Sequence, residues 1–101
     1  MQDAYAKTVT TGWVVAVMLE IEGERGPMRH YYAVGLADQA RAEWTAVDRA
    51  VMAGRVATSP IGGIEPVQAV KALSAWRMKV LGLALGEVRP LGPNHPRRWL
   101  A

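Results

Sequence analysis

The segment that most constrains the fold is the run from Trp13 to Ile21, which is apolar, rich in β-branched residues and free of glycine and proline. Such a composition predicts a β-strand. As far as Leu19, its odd-numbered and even-numbered positions are both apolar, so both faces of the strand need to be covered. We therefore expect this strand at the centre of a sheet, with a neighbour on each side.

A second strand is predicted at Met28 to Leu36, after a turn at Gly23 to Pro27. The glycines of this turn favour positive φ, and its proline ends a hydrogen-bond ladder. The two strands are expected to form an antiparallel hairpin. The expected register pairs Ile21 with Met28, Leu19 with His30, Val17 with Tyr32, Val15 with Val34, Trp13 with Leu36 and Glu20 with Arg29.

An amphipathic helix is predicted at about 39 to 53 from apolar residues at helical spacing. Asp38 is a suitable N-cap, and Gly54 is placed to end the helix in the left-handed conformation. We expect this helix to cover the odd-numbered face of the first strand, with Trp44 near the centre of the contact. The residues expected on its buried face are Ala37, Ala40, Trp44, Val47 and Val51.

Residues 66–83 allow two interpretations. In the first, a single helix begins at Pro66. In the second, Val67 to Leu73 form a third strand and Ser74 caps a short helix at about 75 to 81. Both interpretations end at Gly82 as a left-handed C-cap. We favour the strand followed by the helix, because a sheet of two strands alone is marginally stable.

These elements predict a single α+β domain over residues 1–101, with a small antiparallel hairpin-based sheet packed by one amphipathic helix. The element order is β-β-α-β-α, or β-β-α-α if residues 66–83 form one helix. Glu87 to Leu91 allow a further short edge strand. Residues 1–8 and 92–101 are expected to be flexible ends, although Trp99 and Leu100 are unusual in a solvated tail and indicate docking.

The reactive side chains argue against an enzyme or a metalloprotein. The chain has no cysteine, which excludes disulfides, iron–sulfur ligation and thiol catalysis. His30 and His95 are the only histidines, and neither has a second ligand at metal-binding spacing. We therefore expect no catalytic, cofactor-binding or metal-binding residue. No apolar run approaches the roughly 20 residues of a membrane span, and we expect a cytoplasmic protein with no membrane partner.

The even-numbered face of the hairpin is the first candidate binding surface. It is too apolar to be left open by a single helix, and exposed patches of this kind mark interfaces. The second helix and the Trp99 tail offer one cover, and a second copy of the protein offers another. We expect an interaction module whose partner is a second copy, in a homodimer, or another protein. The candidate interface residues are Val14, Ala16, Met18, Tyr31 and Ala33.

The distribution of charge gives the alternative function. Residues 71–101 carry six basic side chains and one acidic side chain, whereas the rest of the chain is slightly acidic. Basic side chains contact phosphates and tryptophan stacks on unpaired bases, so weak nucleic-acid binding is the alternative. The candidate contacts are Lys71, Arg77, Lys79, Arg89, Arg97, Arg98 and Trp99.

Overall fold

The computed structural model describes residues 9–101 and shows an α+β domain with helices on both faces of a five-stranded antiparallel sheet. The expected α+β class is confirmed. Residues 1–8, predicted to be a flexible end, lie outside the described residues. The strands are β1 (Thr10–Glu20), β2 (Met28–Val34), β3 (Arg55–Val56), β4 (Val67–Ser74) and β5 (Val88–Gly92), and the helices are α1 (Gln39–Ala50), α2 (Ala75–Leu81) and α3 (Arg97–Leu100).

Strand β1 lies at the centre of the sheet, as its apolar composition predicts. It pairs with β2 along one side. Along its other side it pairs first with β4, as far as Val17, and then with β3 at Leu19 and Glu20. Strand β5 pairs with the outer side of β2. The expected third strand is therefore β4, and the short edge strand predicted near Glu87 is β5.

The register of the hairpin differs from the expected one by two residues. Leu19 lies opposite Met28, and Val15 lies opposite Tyr32. The shift arises because Ile21 leaves the ladder and accepts a 3.0 Å hydrogen bond from the Glu24 amide, which begins the turn early. Side chains alternate with a period of two, so each residue keeps its expected face.

The expected pairing of Glu20 with Arg29 is wrong. With the shifted register, Arg29 lies opposite Met18, and its Nη2 donates to the side-chain oxygen of Gln68 at 2.8 Å. Glu20 instead accepts from Nη2 of Arg55, which lies opposite it on β3, at 2.9 Å.

Helix α1 covers the odd-numbered face of β1, but with a different side from the one expected. Its buried residues are Ala42, Ala46 and Ala50. They pack in a core with the odd-numbered side chains of β1 and with Tyr32 and Val34 of β2. Burial raises the pKa of the Tyr32 hydroxyl, an effect that the positive charge of Arg49 partly offsets.

Of the two caps predicted for α1, only the N-cap is observed. The Asp38 carboxylate accepts from the Arg41 amide at 2.9 Å, which confirms the N-cap. Gly54 is not in the left-handed region, and the helix is followed by turns instead. Gly54 is instead required by close packing, because a Cβ at this position would lie 2.6 Å from the carbonyl oxygen of Glu20.

The even-numbered face of β1 is covered by the C-terminal part of the chain. Val14 and Ala33 of the sheet form a second core with Leu73, Met78, Leu83 and Trp99. Residues 92–101, expected to be a flexible end, finish in a short helix whose Trp99 is only 8% exposed, in agreement with the docking that Trp99 and Leu100 indicate. The sheet is thus packed by helices on both faces, not by one helix alone.

The segment from β4 to α2 follows the strand-and-helix interpretation. Ser74 accepts from the Arg77 amide at 3.1 Å, and Gly82 has a φ of 74°, so both predicted caps are confirmed. A bulge opposite Val14 and Val15 shifts the phase of β4. As a result Ala69 packs towards the α1 core while Leu73, also odd-numbered, lies in the second core.

Candidate functional site

The five residues predicted as an interface are covered by the chain itself. Val14, Ala16, Met18 and Ala33 are at most 5% exposed. Tyr31 is partly buried, and its ring meets the His95 ring edge to face at 6.4 Å between centroids. Of the two covers considered, the described residues therefore contain the intramolecular one, with Val14 and Ala33 packed against Met78 and Trp99.

A different apolar surface is open, and it lies on α1. We define the outer stripe as Ala40, Trp44 and the half-buried Val47 of α1 together with Val51, the C-cap residue that follows the helix. Trp44 is 70% exposed and Val51 is 56% exposed. These are residues that helical periodicity assigns to the core. The sequence pattern detected an apolar face of α1 correctly, but the structure places it towards solvent.

The helix has two apolar sides, and size decides which is buried. At about 100° per residue, the centre of the outer stripe lies roughly 130° around the helix axis from the buried alanines. Alanine allows α1 to approach the sheet closely, whereas a tryptophan on the same side would push it away. The larger side chains are thereby left on the outer surface, where a shape-matched partner can bury them.

An open groove runs beside the outer stripe and extends its apolar surface to the sheet edge. It has a volume of about 530 Å³ and lies between α1 and the place where β3 and β4 meet end to end along β1. Ile61 and Ile64, on the loop that follows β3, are also exposed, at 38% and 40%. The residues that line the groove are Glu43, Trp44, Val47, Val56, Ala57, Thr58 and Val67.

Glu43 fixes one wall of this groove and blocks the neighbouring sheet edge. Its Oε2 accepts a 3.1 Å hydrogen bond from the backbone amide of Ala69 on β4. An outer strand with free amides is a template for pairing with another strand. Because Glu43 occupies this amide and a bulge follows at once, β4 is a poor docking edge, and the helix surface is the better candidate.

The residues predicted to contact nucleic acid do not form one open surface. Trp99 is buried and is not available for stacking on a base. Arg89 serves the fold: its guanidinium donates to the carbonyl oxygens of Leu81 and Gly82 and lies 5.8 Å from the centre of the Trp99 ring. Arg77 donates to the backbone carbonyl of Arg98.

The remaining members of the basic set differ in exposure. Lys79, Arg97 and Arg98 have exposed side chains, whereas Lys71 is partly buried on β4. Arg89 and Trp99 thus belong to the packing of the second core, and their loss leaves a smaller and more dispersed basic set than the sequence indicates. Burial of this kind cannot be inferred from charge counts, because it depends on where α3 docks.

Two further acidic side chains, Glu87 and Glu24, make polar contacts within the described residues. Glu87 accepts from the Ala84 amide and from Arg89, and these hydrogen bonds hold the pKa of its carboxyl below the ordinary value. Glu24 lies 3.2 Å from Nε2 of His30, a largely buried residue at the end of the hairpin. Both contacts fasten turns to the body of the domain.

Comparison with known proteins gives no functional lead. No family model, no curated protein and no solved structure matches the chain. In residues 9–101, no group of three or more metal-ligating side chains comes together. Over the same residues, no helix combines the length and the apolar character needed to span a membrane. The outer stripe is the exposed apolar surface on α1, with Trp44 at 70% exposure.

Proposed function

We propose that this protein is a small interaction module that self-associates through the outer stripe of α1. The observation that supports this most directly is that α1 packs on the sheet with alanines only, while Trp44 is 70% exposed. Large aromatic residues are enriched at the energetic centres of protein interfaces. The hairpin face is covered by the chain itself, whereas the outer stripe is open to a second copy.

The exposed area of Trp44 makes a useful contribution to association. A buried tryptophan removes about 150–250 Å² from water, at about 25 cal/mol per Å². Covering the exposed 70% of Trp44 is thus favourable by on the order of 3 kcal/mol in each subunit. Part of this gain offsets the rotational and translational entropy lost on association.

The size of the stripe sets the expected strength of the complex. Helix α1 has 12 residues, and at about 1.5 Å per residue it is roughly 18 Å long. Two such helices bury less area than a standard interface of about 1,600 Å². We therefore expect a dissociation constant in the micromolar range, that is, on the order of 8 kcal/mol of binding free energy.

Sedimentation equilibrium of the full chain over a wide concentration range tests the proposal. The wild type is expected to shift from monomer to dimer, and Trp44→Gln is expected to remain monomeric. Leu85→Gln is the matched control, because Leu85 is 79% exposed but lies outside the stripe. A wild-type chain that stays monomeric at every concentration, or a Trp44→Gln chain that dimerises like Leu85→Gln, would contradict the proposal.

A further inference from the structure

The geometry points to an antiparallel pairing of α1 with α1 of a second copy, about a two-fold axis near Thr45. This inference rests on the proposed function and adds the orientation of the partner. It is carried by two independent features of α1: the spacing of the outer stripe and the position of two opposite charges along one border of it.

The outer stripe has the spacing of a two-helix seam. Ala40, Trp44, Val47 and Val51 are separated by four, three and four residues. This alternation is the repeat of the core positions of a coiled coil. In an antiparallel pair centred near Thr45, Trp44 packs against Val47 of the second copy, and Ala40 packs against Val51. Each layer then combines a larger side chain with a smaller one, which suits interdigitation.

The charges beside the stripe are self-complementary in this arrangement. Arg41 and Asp48 are two helical turns apart on the same border of the stripe, and both are exposed. Among residues 9–101 neither side chain takes part in an ion pair. In the antiparallel pair, Arg41 of each copy faces Asp48 of the other, so two cross-pairs form. The opposite border faces the sheet, where Ala50 is buried and Glu43 accepts from the Ala69 amide, so it adds no like-charge contact between the copies.

A parallel pairing lacks this complementarity. There, the coiled-coil geometry brings Glu43 of one helix close to Asp48 of the other, and both residues are acidic. A two-fold interface also requires the same patch on both copies to be complementary to itself. The sequence of α1 meets this requirement in the antiparallel orientation, because Arg41 and Asp48 lie on either side of its midpoint.

Charge reversal tests the orientation with full-length chains. Arg41→Asp makes both border positions acidic, and Asp48→Arg makes both basic. Each variant alone is expected to dimerise roughly tenfold more weakly than the wild type, because two attractive pairs become repulsive. An equimolar mixture is expected to recover wild-type affinity as a heterodimer, since every cross-pair is then opposite in sign. The double variant Arg41→Asp/Asp48→Arg is also expected to recover it.

Loss of the helix does not explain the expected weakening. Arg41→Asp adds a negative charge near the N-terminus of α1, and Asp48→Arg adds a positive charge near its C-terminus. Both changes complement the helix dipole. Circular dichroism of each variant checks that the fold is retained. Recovery in the mixture provides a second check, since a misfolded chain would not form the heterodimer.

Cysteine crosslinking gives a measurement that does not depend on charge. The chain has no native cysteine, so single substitutions react without background. Under oxidation, a mixture of Ala40→Cys and Val51→Cys is expected to give a crosslinked dimer between the two different chains. Preferential crosslinking of each variant with itself would indicate a parallel arrangement and would overturn the inference.

The outcomes separate the two proposals. If the wild type dimerises and Trp44→Gln does not, but the charge variants bind as tightly as the wild type or fail to recover on mixing, the antiparallel pairing is wrong and self-association stands. If the wild type is monomeric at all concentrations, self-association itself is wrong, and the orientation falls with it.

Discussion

The two faces of the sheet are covered in opposite ways. On the α1 face the helix contributes only Ala42, Ala46 and Ala50 to the core, and Trp44 points outwards. On the second face the cover is made of large side chains, Met78, Leu83 and Trp99, and these are turned inwards. The contrast is clearest in two tryptophans, since Trp99 is 8% exposed and Trp44 is 70% exposed.

This difference shows that the sheet is buried by small residues of a longer helix on one face and by large residues of short elements on the other. The second face is closed by short elements that have little intrinsic stability, so each needs a large anchor to hold it. Helix α1 is longer, has a side-chain N-cap at Asp38 and packs closely through alanine, which leaves its large residues available. The largest energetic differences are therefore expected between matching substitutions on the two faces.

Trp99→Ala is expected to have the largest effect on stability. Truncation of a buried tryptophan costs about 3–5 kcal/mol, and we expect about 3 kcal/mol here because α3 is terminal and can detach locally. The Arg89 guanidinium also loses the ring that it covers. Urea unfolding, followed by circular dichroism at low protein concentration, measures the change.

The matched control for this substitution is Trp44→Ala. Because Trp44 is exposed, its removal from the dilute monomer is expected to change the free energy of unfolding by about 0.5 kcal/mol or less. Equal losses for the two tryptophans would show that they have similar environments and would remove the distinction between a closed face and an open one.

Ala46→Leu tests the close approach of α1 and is expected to have an intermediate effect. Ala46 is fully buried against the sheet, so the added atoms force the helix outwards or distort its neighbours. Overpacking of this kind costs about 1–3 kcal/mol. The same substitution at the exposed Ala40 is expected to change the stability of the monomer by about 0.5 kcal/mol or less. Thermal unfolding of both variants makes the comparison, and a tolerant Ala46 would indicate a loosely packed helix.

The sequence predicts the architecture well where patterns are local. The central position of β1 follows from apolar residues on both of its faces, and the boundary between β4 and α2 follows from Ser74 as a cap. The hairpin register was missed by two residues because the turn begins at Ile21, a choice that depends on turn hydrogen bonds rather than on polarity.

The candidate site could be predicted only in part, for a related reason. Periodicity identifies the apolar stripe that contains Trp44 and Val51, but it cannot decide whether a stripe faces the sheet or solvent when alanines form a second apolar side. The sequence feature that could have identified the buried side is the spacing of Ala42, Ala46 and Ala50, since residues four apart lie on the same side of a helix. Trp99 and Leu100 indicate from the sequence that the C-terminal segment docks, but the residues that Trp99 packs against are distant in the chain and no local pattern identifies them.

The smallest expected effect concerns the border of the second face, where Glu87 holds Arg89 in place. Hydrogen bonds from the Ala84 amide and from Arg89 lower the pKa of the Glu87 carboxyl in the folded state. A lowered folded-state pKa stabilises the fold above the unfolded-state pKa, and this contribution is lost as the pH falls through the folded-state pKa. We therefore expect Glu87→Gln to be slightly less stable than the wild type at neutral pH. The difference should disappear in acid, where the wild-type carboxyl is protonated.

Thermal unfolding midpoints from neutral to strongly acidic pH measure this difference, with Glu65→Gln as the control for loss of an exposed carboxylate. A constant difference at all pH values would show that the side chain acts through its shape alone. A difference that vanishes in acid, together with hydrogen-exchange protection that falls around α3 before it falls around α1, would show that charge fastens the second face and not the first.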